Sequence, residues 1–224
     1  MIGDLIPDFI INYRVAFISA ALLSLKFLAW ATCFGFLIGM VLAIAQISQR
    51  RWVRVPVIAL VEVIRNTPLM VQLLWIHFAL PAVTGMGGSP ERSAMIGIAL
   101  SSACYFSEIF RGGIQSIPRG QFEAAASLGL SRWCVWTRVV LPQAVIDTLP
   151  ASVNTILSFF KATTVLSVIA VPELLMTATR ISARTGDPIG VFTTMGLIFV
   201  LLGSALSYLL NRVEHALGPR SARR

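Results

Sequence analysis

Long apolar runs alternate with short polar stretches along the whole chain. Five of the runs are long enough for a helix that crosses a bilayer, which takes roughly 20 apolar residues. They lie at about 15–47 (or from 19), 56–80, 93–117, 149–171 and 189–213. The pattern predicts an all-α integral membrane protein with about five transmembrane helices.

Shorter signals refine these spans. Thr67-Pro68 predicts a kink inside the second span, and the GxxxG spacing of Gly35 and Gly39 allows close helix contact in the first. The polar stretch after the fourth span predicts a surface helix over 173–182. Residues 1–14 are expected to be interfacial. They lack the basic start of a cleavable signal peptide, which indicates that the first span is retained.

The composition excludes a soluble domain, because 56% of the 224 residues are hydrophobic and only 12% are charged. The net charge of +8 comes mostly from arginines that flank the spans. This placement is typical of a topology signal and not of nucleic-acid binding. The three cysteines are far apart and form no CxxC pair, so neither a disulfide framework nor a zinc site is indicated.

The basic residues fall unequally on the two sides of the predicted membrane. One side collects Arg50, Arg51, Arg54, Arg119, Arg132, Arg138, Arg212, Arg220, Arg223 and Arg224. The other side has Arg14, Lys26, Arg92, Arg180 and Arg184. Because the more basic side of a membrane protein faces the cytoplasm, we expect the N-terminus outside and the C-terminus in the cytoplasm.

A charged stretch over 116–142 separates the third and fourth spans and is too polar for lipid. Helix-forming residues over 121–128 predict a short helix that stops at Gly129. Ser131 can cap a second short helix, which Pro142 follows. A capped pair of helices on the cytoplasmic side indicates a docking surface, and an ordered connecting loop is the simpler alternative.

Two spans carry the same charged pattern, Glu62-Val-Ile-Arg65 and Glu108-Ile-Phe-Arg111. Charges at membrane depth are costly, so they are expected to pair and to face the protein interior. Our hypothesis is a polar brace that pairs the two spans with each other. Separate local pairs at i,i+3 spacing are the alternative.

Lys161 lies about halfway along the fourth span, beside Thr163 and Thr164 and two turns after Asn154. A lysine near the bilayer midplane indicates a functional site. The alternative is a structural charge that pairs with Glu108 or is satisfied by carbonyl groups. His77 is expected to be a satisfied interfacial residue, since no second ligand shares its spacing.

Three blocks resemble the permease subunits of bacterial ABC importers for polar amino acids, the histidine, glutamine, arginine and opine group. The first is EVIRNTPLMVQLLWIHFALP at 62–81. The second, 105–144, is similar to the complete EAA signature, with Glu123-Ala124-Ala125, Gly129 and Leu141-Pro142-Gln143. The third is LPASVNTILSFFKATTVLSVIAVPELL at 149–175. Together the blocks cover about the middle half of the chain.

The resemblance implies a type I ABC importer permease fold, with residues 1–224 as one transmembrane domain and 118–142 as its coupling segment. It implies a multi-pass protein of the bacterial inner membrane that forms half of the pathway for a polar amino acid or similar solute. Its partners are then two cytoplasmic ATPases, an external solute-binding protein and a second permease chain, with a heterodimer favoured. ATP and Mg²⁺ belong to the ATPases, and this chain indeed lacks the GxxxxGK[ST] phosphate loop.

The resemblance also assigns residues. Those of the ATPase-coupling surface are Arg119, Glu123, Ala124, Ala125, Gly129 and Arg132. Glu123 is expected in the first turn of its helix, where a carboxylate complements the positive helix end, and capping alone is the simpler alternative. Arg119 and Arg132 contact either the ATPase or inner-leaflet lipid. The pathway candidates are Glu108, Arg111, Asn154, Lys161, Thr163 and Thr164.

One position departs from the family pattern. Lys161-Ala162-Thr163-Thr164 stands where the family usually has Lys-Asp-Thr-Ser, so the carboxylate suited to a substrate ammonium group is missing. Either a different permease chain supplies it, or the solute is an opine, an ectoine-like compound or another amino-acid derivative. An intramembrane enzyme with Lys161 or His77 as base and an ion channel are the alternative functions, although neither needs a cytoplasmic docking surface.

Overall fold

The computed structural model describes residues 8–85 and 88–217, and these are helical almost throughout. The helices are α1 (Asp8–Gln46), α2 (Arg51–Asn66), α3 (Leu69–Thr84), α4 (Pro90–Gln115), α5 (Arg119–Ser127), α6 (the consecutive segments Arg132–Val135, Trp136–Val140 and Leu141–Asp147), α7 (Leu149–Ala162), α8 (Leu174–Thr185) and α9 (Pro188–Leu217). A 3₁₀-helix, Thr163–Ile169, extends α7. Residues 1–7 of the expected interfacial segment and Arg220, Arg223 and Arg224 of the basic tail lie outside the described residues.

Four of these segments are long and apolar enough to cross a membrane. They are Asn12–Gln46, Pro90–Gln115, Leu149–Ile169 and Pro188–Leu217. The helices α2 and α3 count as a fifth span if the pair is taken together, but the chain bends by 103° between them. The expected kink at Thr67-Pro68 is therefore a full break in the second span.

The helix α1 packs along α4, and two glycines set their distance. A Cβ added at Gly35 would lie 2.5 Å from the Ser102 Oγ, and one at Gly39 would lie 2.7 Å from the Phe106 Cβ. The Ser102 hydroxyl donates a hydrogen bond across the seam to the Ala31 carbonyl at 2.8 Å. The close contact expected from the GxxxG spacing is therefore made with α4.

We expect Gly39→Val to destabilise the fold by about 1–3 kcal/mol, because the added side chain must enter a packed contact. The matched control is Gly196→Val in α9, where an added Cβ meets nothing within 4 Å. The thermal midpoint of the detergent-solubilised protein measures the effect. Equal midpoints for the two variants would show that the seam is not close-packed.

Buried side chains form three clusters around α1 and α4. The first surrounds Phe27, Leu73 and Phe160, and the second surrounds Phe106 and Phe110 nearer α5 and α6. The third joins the first turns of α1 to α8 and α9 through residues such as Phe17, Leu174, Ala178, Ile181 and Val191. Residues 8–14 continue α1. The helix predicted over 173–182 is present as α8, which buries one face in this cluster and exposes the other.

Two leucine–proline pairs sit inside helices, each after a π-helical turn. Trp75–Ala79 precedes Leu80-Pro81, and Trp136–Val140 precedes Leu141-Pro142. A proline in a helix lacks the N–H donor and crowds the carbonyl four residues earlier. The wider turn relieves this conflict, since the Leu80 N–H bonds to the Trp75 carbonyl and the Leu141 N–H to that of Trp136. The sequence predicts that Pro142 follows a separate short helix. In the structure Pro142 lies within α6 instead.

Candidate functional site

A cluster of four charged side chains joins α2 to α4. The Arg111 guanidinium donates two hydrogen bonds to the Glu108 carboxylate, at 2.7 and 3.0 Å. Arg65 lies 3.5 Å from the same carboxylate and 3.9 Å from Glu62. Both local pairs are therefore present, and one contact between the spans joins Arg65 of the first pair to Glu108 of the second.

A cavity of about 600 Å³ opens beside this cluster, at the break between α2 and α3. Its polar lining comes from Arg65, Asn66, Thr67, Ser101, Tyr105, Thr155 and Ser158, with Ala162 at its edge. Arg65 is the one charged residue among the lining residues. The Cζ atom of Arg65 lies 5.5 Å from the centre of the Tyr105 ring, and this cation–π contact joins two residues of the cavity lining.

The Nε of Arg65 is buried and has no hydrogen-bond partner among the described residues. A guanidinium has five N–H donors in a fixed fork that matches a carboxylate. The cavity therefore places one positive charge next to hydroxyl and amide side chains.

The break itself is held by Gln72, a residue that the sequence analysis did not single out. Its side-chain amide donates hydrogen bonds to the Ile64 carbonyl at 2.8 Å and the Thr67 carbonyl at 2.7 Å. Those carbonyls lie at the C-terminal end of α2, where the last carbonyl groups of a helix have no N–H partner in the helix itself. The signal for this role was a polar residue in an apolar run directly after Thr-Pro.

Lys161 lines a second space, a groove of about 650 Å³ between α7 and α9. The side chain is exposed and forms no ion pair within 8–85 and 88–217. The expected alternative, a pair with Glu108, is therefore wrong, because Glu108 is engaged by arginines.

Asn154, Thr163 and Thr164 line neither the cavity nor the groove. Asn154 is exposed on α7, whereas Thr163 is fully buried and its hydroxyl donates to the Phe160 carbonyl. The Thr164 hydroxyl donates to the backbone carbonyl of Lys161. These threonines stabilise the tight turns after α7 and point no free donor into either space.

The predicted docking segment has an exposed first helix and a sharp reversal. The backbone of Gly129 is left-handed, with φ +68°, and Ser131 caps the next helix through the Cys134 N–H at 3.3 Å. Leu128 and Trp133 are 77% and 78% exposed on either side of the turn. Both the stop at Gly129 and the cap at Ser131 agree with the expectation from sequence.

The rest of that segment differs in detail. The helix α5 begins at Arg119, so Glu123 lies in its second turn and does not complement the helix end as expected. Glu123 and Ala124 are exposed, whereas Ala125 is buried against the second cluster. Gln121 accepts a hydrogen bond from the Gln143 amide at 2.7 Å, which fixes α5 against α6.

Glu173 is a second residue that the sequence analysis did not single out. It is fully buried, and its carboxylate accepts hydrogen bonds from the N–H groups of Leu175 and Met176 at 2.9 and 2.8 Å. It therefore caps α8. Burial raises the pKa of Glu173 from 4.5 to about 7, against the opposing effect of these two hydrogen bonds.

The described residues hold no group of three or more His, Cys, Asp and Glu side chains that could bind a metal. The ring of His77 lies 3.0 Å from the Ser93 hydroxyl, as expected for a satisfied interfacial histidine. The cavities and the exposed turn between α5 and α6 are thus the features that call for a function.

Residues 35–220 match the family described as the binding-protein-dependent transport system inner membrane component. The chain belongs to this family. The permease is therefore a multi-pass inner-membrane transport subunit, and the two alternative functions, an intramembrane enzyme and an ion channel, are set aside.

Curated relatives extend over most of the permease. A putative glutamine transport system permease protein of Rickettsia felis is 30% identical over 197 residues, covering 88% of this chain and 90% of the relative. The octopine transport system permease protein of Rhizobium meliloti is 30% identical, covering 95% and 90%. A probable amino-acid ABC transporter permease protein of Bacillus subtilis is 34% identical, covering 80% and 79%.

Solved structures support the same fold. The permease aligns with a chain of an amino acid ABC transporter crystallised with histidines, at a TM-score of 0.85 and 31% identity, covering 92% of this chain and 96% of that one. It aligns with an inward-facing MetNI methionine ABC transporter at a TM-score of 0.80 and 18% identity, covering 93% and 99%. The type I ABC importer permease fold expected from the sequence is confirmed.

Proposed function

We propose that this permease imports a polar amino acid or amino-acid derivative and that α5 couples it to separate cytoplasmic ATPases. The observation that carries the coupling role is the exposed pair of helices around Gly129, with Leu128 and Trp133 turned outward. Two apolar side chains this exposed beside a carboxylate and arginines fit a protein interface better than a solvated loop.

The coupling surface comprises Arg119, Glu123, Ala124, Gly129 and Arg132, with Ala125 buried beneath it, within the segment 118–142 of a single transmembrane domain. The helix α5 follows α4 after only three residues, Ser116–Pro118. A movement of α5 therefore acts directly on α4, which carries Glu108. ATP and Mg²⁺ are bound by the ATPases, and the segment faces the cytoplasm with the N-terminus of the permease outside.

The solute pathway is proposed to pass the cavity at the break between α2 and α3. The positive charge of Arg65 and the surrounding hydroxyl groups suit the carboxylate of an amino-acid-type solute. Relatives named for glutamine, octopine and amino-acid transport support this class of solute. The charged brace of Glu62, Arg65, Glu108 and Arg111 would then rearrange as the pathway opens.

The assembly is proposed to contain two ATPases, a second permease chain in a heterodimer and an external solute-binding protein. Family membership supports a binding-protein-dependent system. The two permease chains would share one pathway, which switches between inward- and outward-facing states when the ATPases close and open.

Gly129→Val tests the coupling role. A β-branched residue at φ +68° strains the turn, whereas asparagine adopts this conformation with little cost. We expect Gly129→Val to reduce copurification of the ATPases about tenfold and Gly129→Asn to retain it, a difference that takes about 1.4 kcal/mol of binding free energy.

Glu123→Lys is expected to weaken the same association, and Arg92→Glu, on the expected external side, serves as the control. Thermal midpoints of the permease alone show whether a variant is folded. ATPases that copurify equally with wild type, Gly129→Val and Glu123→Lys would contradict the proposed coupling surface.

A further inference from the structure

The helix α2 lies across the axis of the helix bundle. The helix α3 runs antiparallel to the span α4, because Leu73 packs on Gly97 and, one turn further along α3, the His77 ring lies 3.0 Å from the Ser93 hydroxyl. The chain bends by 103° between α2 and α3. The two helices therefore cannot both cross the membrane along its normal, and α2 lies close to the membrane plane.

Both ends of α2 lie near the C-terminal part of α4. The Gln46 amide at the end of α1 donates a hydrogen bond to the Ser107 hydroxyl at 3.1 Å, and α2 begins shortly afterwards at Arg51. At its other end, Arg65 lies 3.5 Å from Glu108. The helix α4 has 26 residues. Its length of about 39 Å exceeds the hydrocarbon core of about 30 Å, so its last turns reach the interface. The helix α2 is thus placed at the interface on the expected cytoplasmic side.

An exposed apolar stripe runs along α2 at positions i, i+4, i+8 and i+11, namely Trp52, Pro56, Leu60 and Val63. Trp52 is 71% exposed and Val63 is 63% exposed, so neither is covered by the rest of the chain. Arg51 and Glu62 project from the other side of the helix. An apolar stripe with a tryptophan, opposite a charged side, is typical of a helix that lies in a membrane interface.

Three arginines surround the start of this stripe. Arg50, Arg51 and Arg54 form no ion pair among the residues that the structure describes. The sequence has no acidic residue between Asp8 and Glu62 that could balance their charges locally. The Cζ atom of Arg50 lies 5.8 Å from the centre of the Trp52 ring, so positive charge adjoins the apolar stripe directly.

We propose that α2 lies in the lipid interface with this stripe inserted among acyl chains, and that Arg50, Arg51 and Arg54 bind the headgroups of anionic phospholipids. The negative surface potential of the cytoplasmic leaflet attracts basic residues at this depth. A second copy of this chain fits the surface less well, because it would bring the same arginines against these and like charges repel. Lipid binding by α2 is independent of which solute the permease carries.

Quenching of Trp52 fluorescence by brominated lipids tests the proposal. The assembled permease–ATPase complex is reconstituted in vesicles of phosphatidylcholine and phosphatidylglycerol, and the signal of Trp52 is obtained as the difference between wild type and Trp52→Phe. Bromine is carried by roughly one fifth of the lipid in every sample, either on phosphatidylglycerol or on phosphatidylcholine. We expect about threefold stronger quenching by the brominated phosphatidylglycerol, since even one arginine near the surface enriches an anionic lipid about fivefold.

Replacement of Arg50, Arg51 and Arg54 by glutamine is expected to remove this preference, while brominated phosphatidylcholine still quenches Trp52 and shows that the helix remains in place. Replacement of the same three residues by lysine should retain the preference. The matched control replaces three exposed arginines near the opposite ends of the spans, Arg14, Arg180 and Arg184, by glutamine. It removes the same charge and should leave the preference of wild type unchanged.

Three results would overturn the inference. If neither brominated lipid quenches Trp52, the stripe is covered by a second permease chain or by water. Equal quenching by the two lipids in wild type would show that the arginines do not select anionic headgroups. A preference that the control variant loses as fully as the variant at the start of α2 would assign it to the net charge of the permease and not to this surface.

Discussion

Gln72→Leu is expected to destabilise the permease, because it removes the clamp at the break between α2 and α3. Both hydrogen bonds of the side-chain amide are lost together, to the Ile64 and Thr67 carbonyls. The Ile64 carbonyl keeps a weaker bond from the Thr67 N–H at 3.3 Å, whereas nothing replaces the bond to Thr67. The Thr67 carbonyl is half-buried beside the cavity, and leaving it without a donor is expected to cost about 1 kcal/mol.

The measurement is the yield of monodisperse protein after extraction, together with its thermal midpoint. Gln49→Leu makes the same chemical change at an exposed turn and is the matched control. Gln72→Glu retains the size of the side chain but presents only acceptors to the two carbonyls, so it should fail like the leucine variant. If Gln72→Leu and Gln49→Leu behave alike, the clamp does not hold the break.

Glu173 is expected to make the stability of the permease depend on pH near neutrality. Its folded-state pKa is raised from 4.5 to about 7, so the folded protein holds a proton that the unfolded chain has released between these values. The contribution of Glu173 to stability is fully present below pH 4.5 and is lost as the pH rises through about 7. At 1.36 kcal/mol per pKa unit, the full loss amounts to about 3 kcal/mol.

Glu173→Gln removes the ionisation and keeps an oxygen that can accept a hydrogen bond from the start of α8. The thermal midpoints of both proteins are compared from pH 5 to pH 8, because other groups titrate equally in each. We expect the midpoint of wild type to fall below that of Glu173→Gln as the pH passes 7. Parallel curves for the two proteins would mean that Glu173 is not buried in a form that disfavours its charge.

The sequence predicted the fold class and the number of spans because the length of each apolar run is a property of the chain itself. It located the turn at Gly129 and the cap at Ser131, since both depend on residues next to each other. It also indicated a contact between the charged pairs of α2 and α4, where the structure brings Arg65 to Glu108.

The sequence did not predict the long-range packing of the helices. The Thr67-Pro68 pair predicted a kink, but the 103° angle depends on how Gln72 caps the broken backbone. Glu173 was predicted to lie in a polar surface helix, and only the packing of α8 against α1 and α9 shows that it is buried. Lys161 and Ala162 line two different spaces, and the space at Lys161 exists because of where α9 packs.

The glycine seam between α1 and α4 bears on how the permease moves. Because α1 and α4 are in such close contact and are joined by hydrogen bonds of the Ser102 and Gln46 side chains, we expect them to move as one rigid unit. We expect the other helices to bend relative to this pair where regular helical hydrogen bonding is interrupted. These places are the break at Thr67-Pro68 and the two π-helical turns. If α5 couples the permease to the ATPases as proposed, we expect its movement to reach the membrane spans through this rigid helix pair and the backbone to bend at these three stretches.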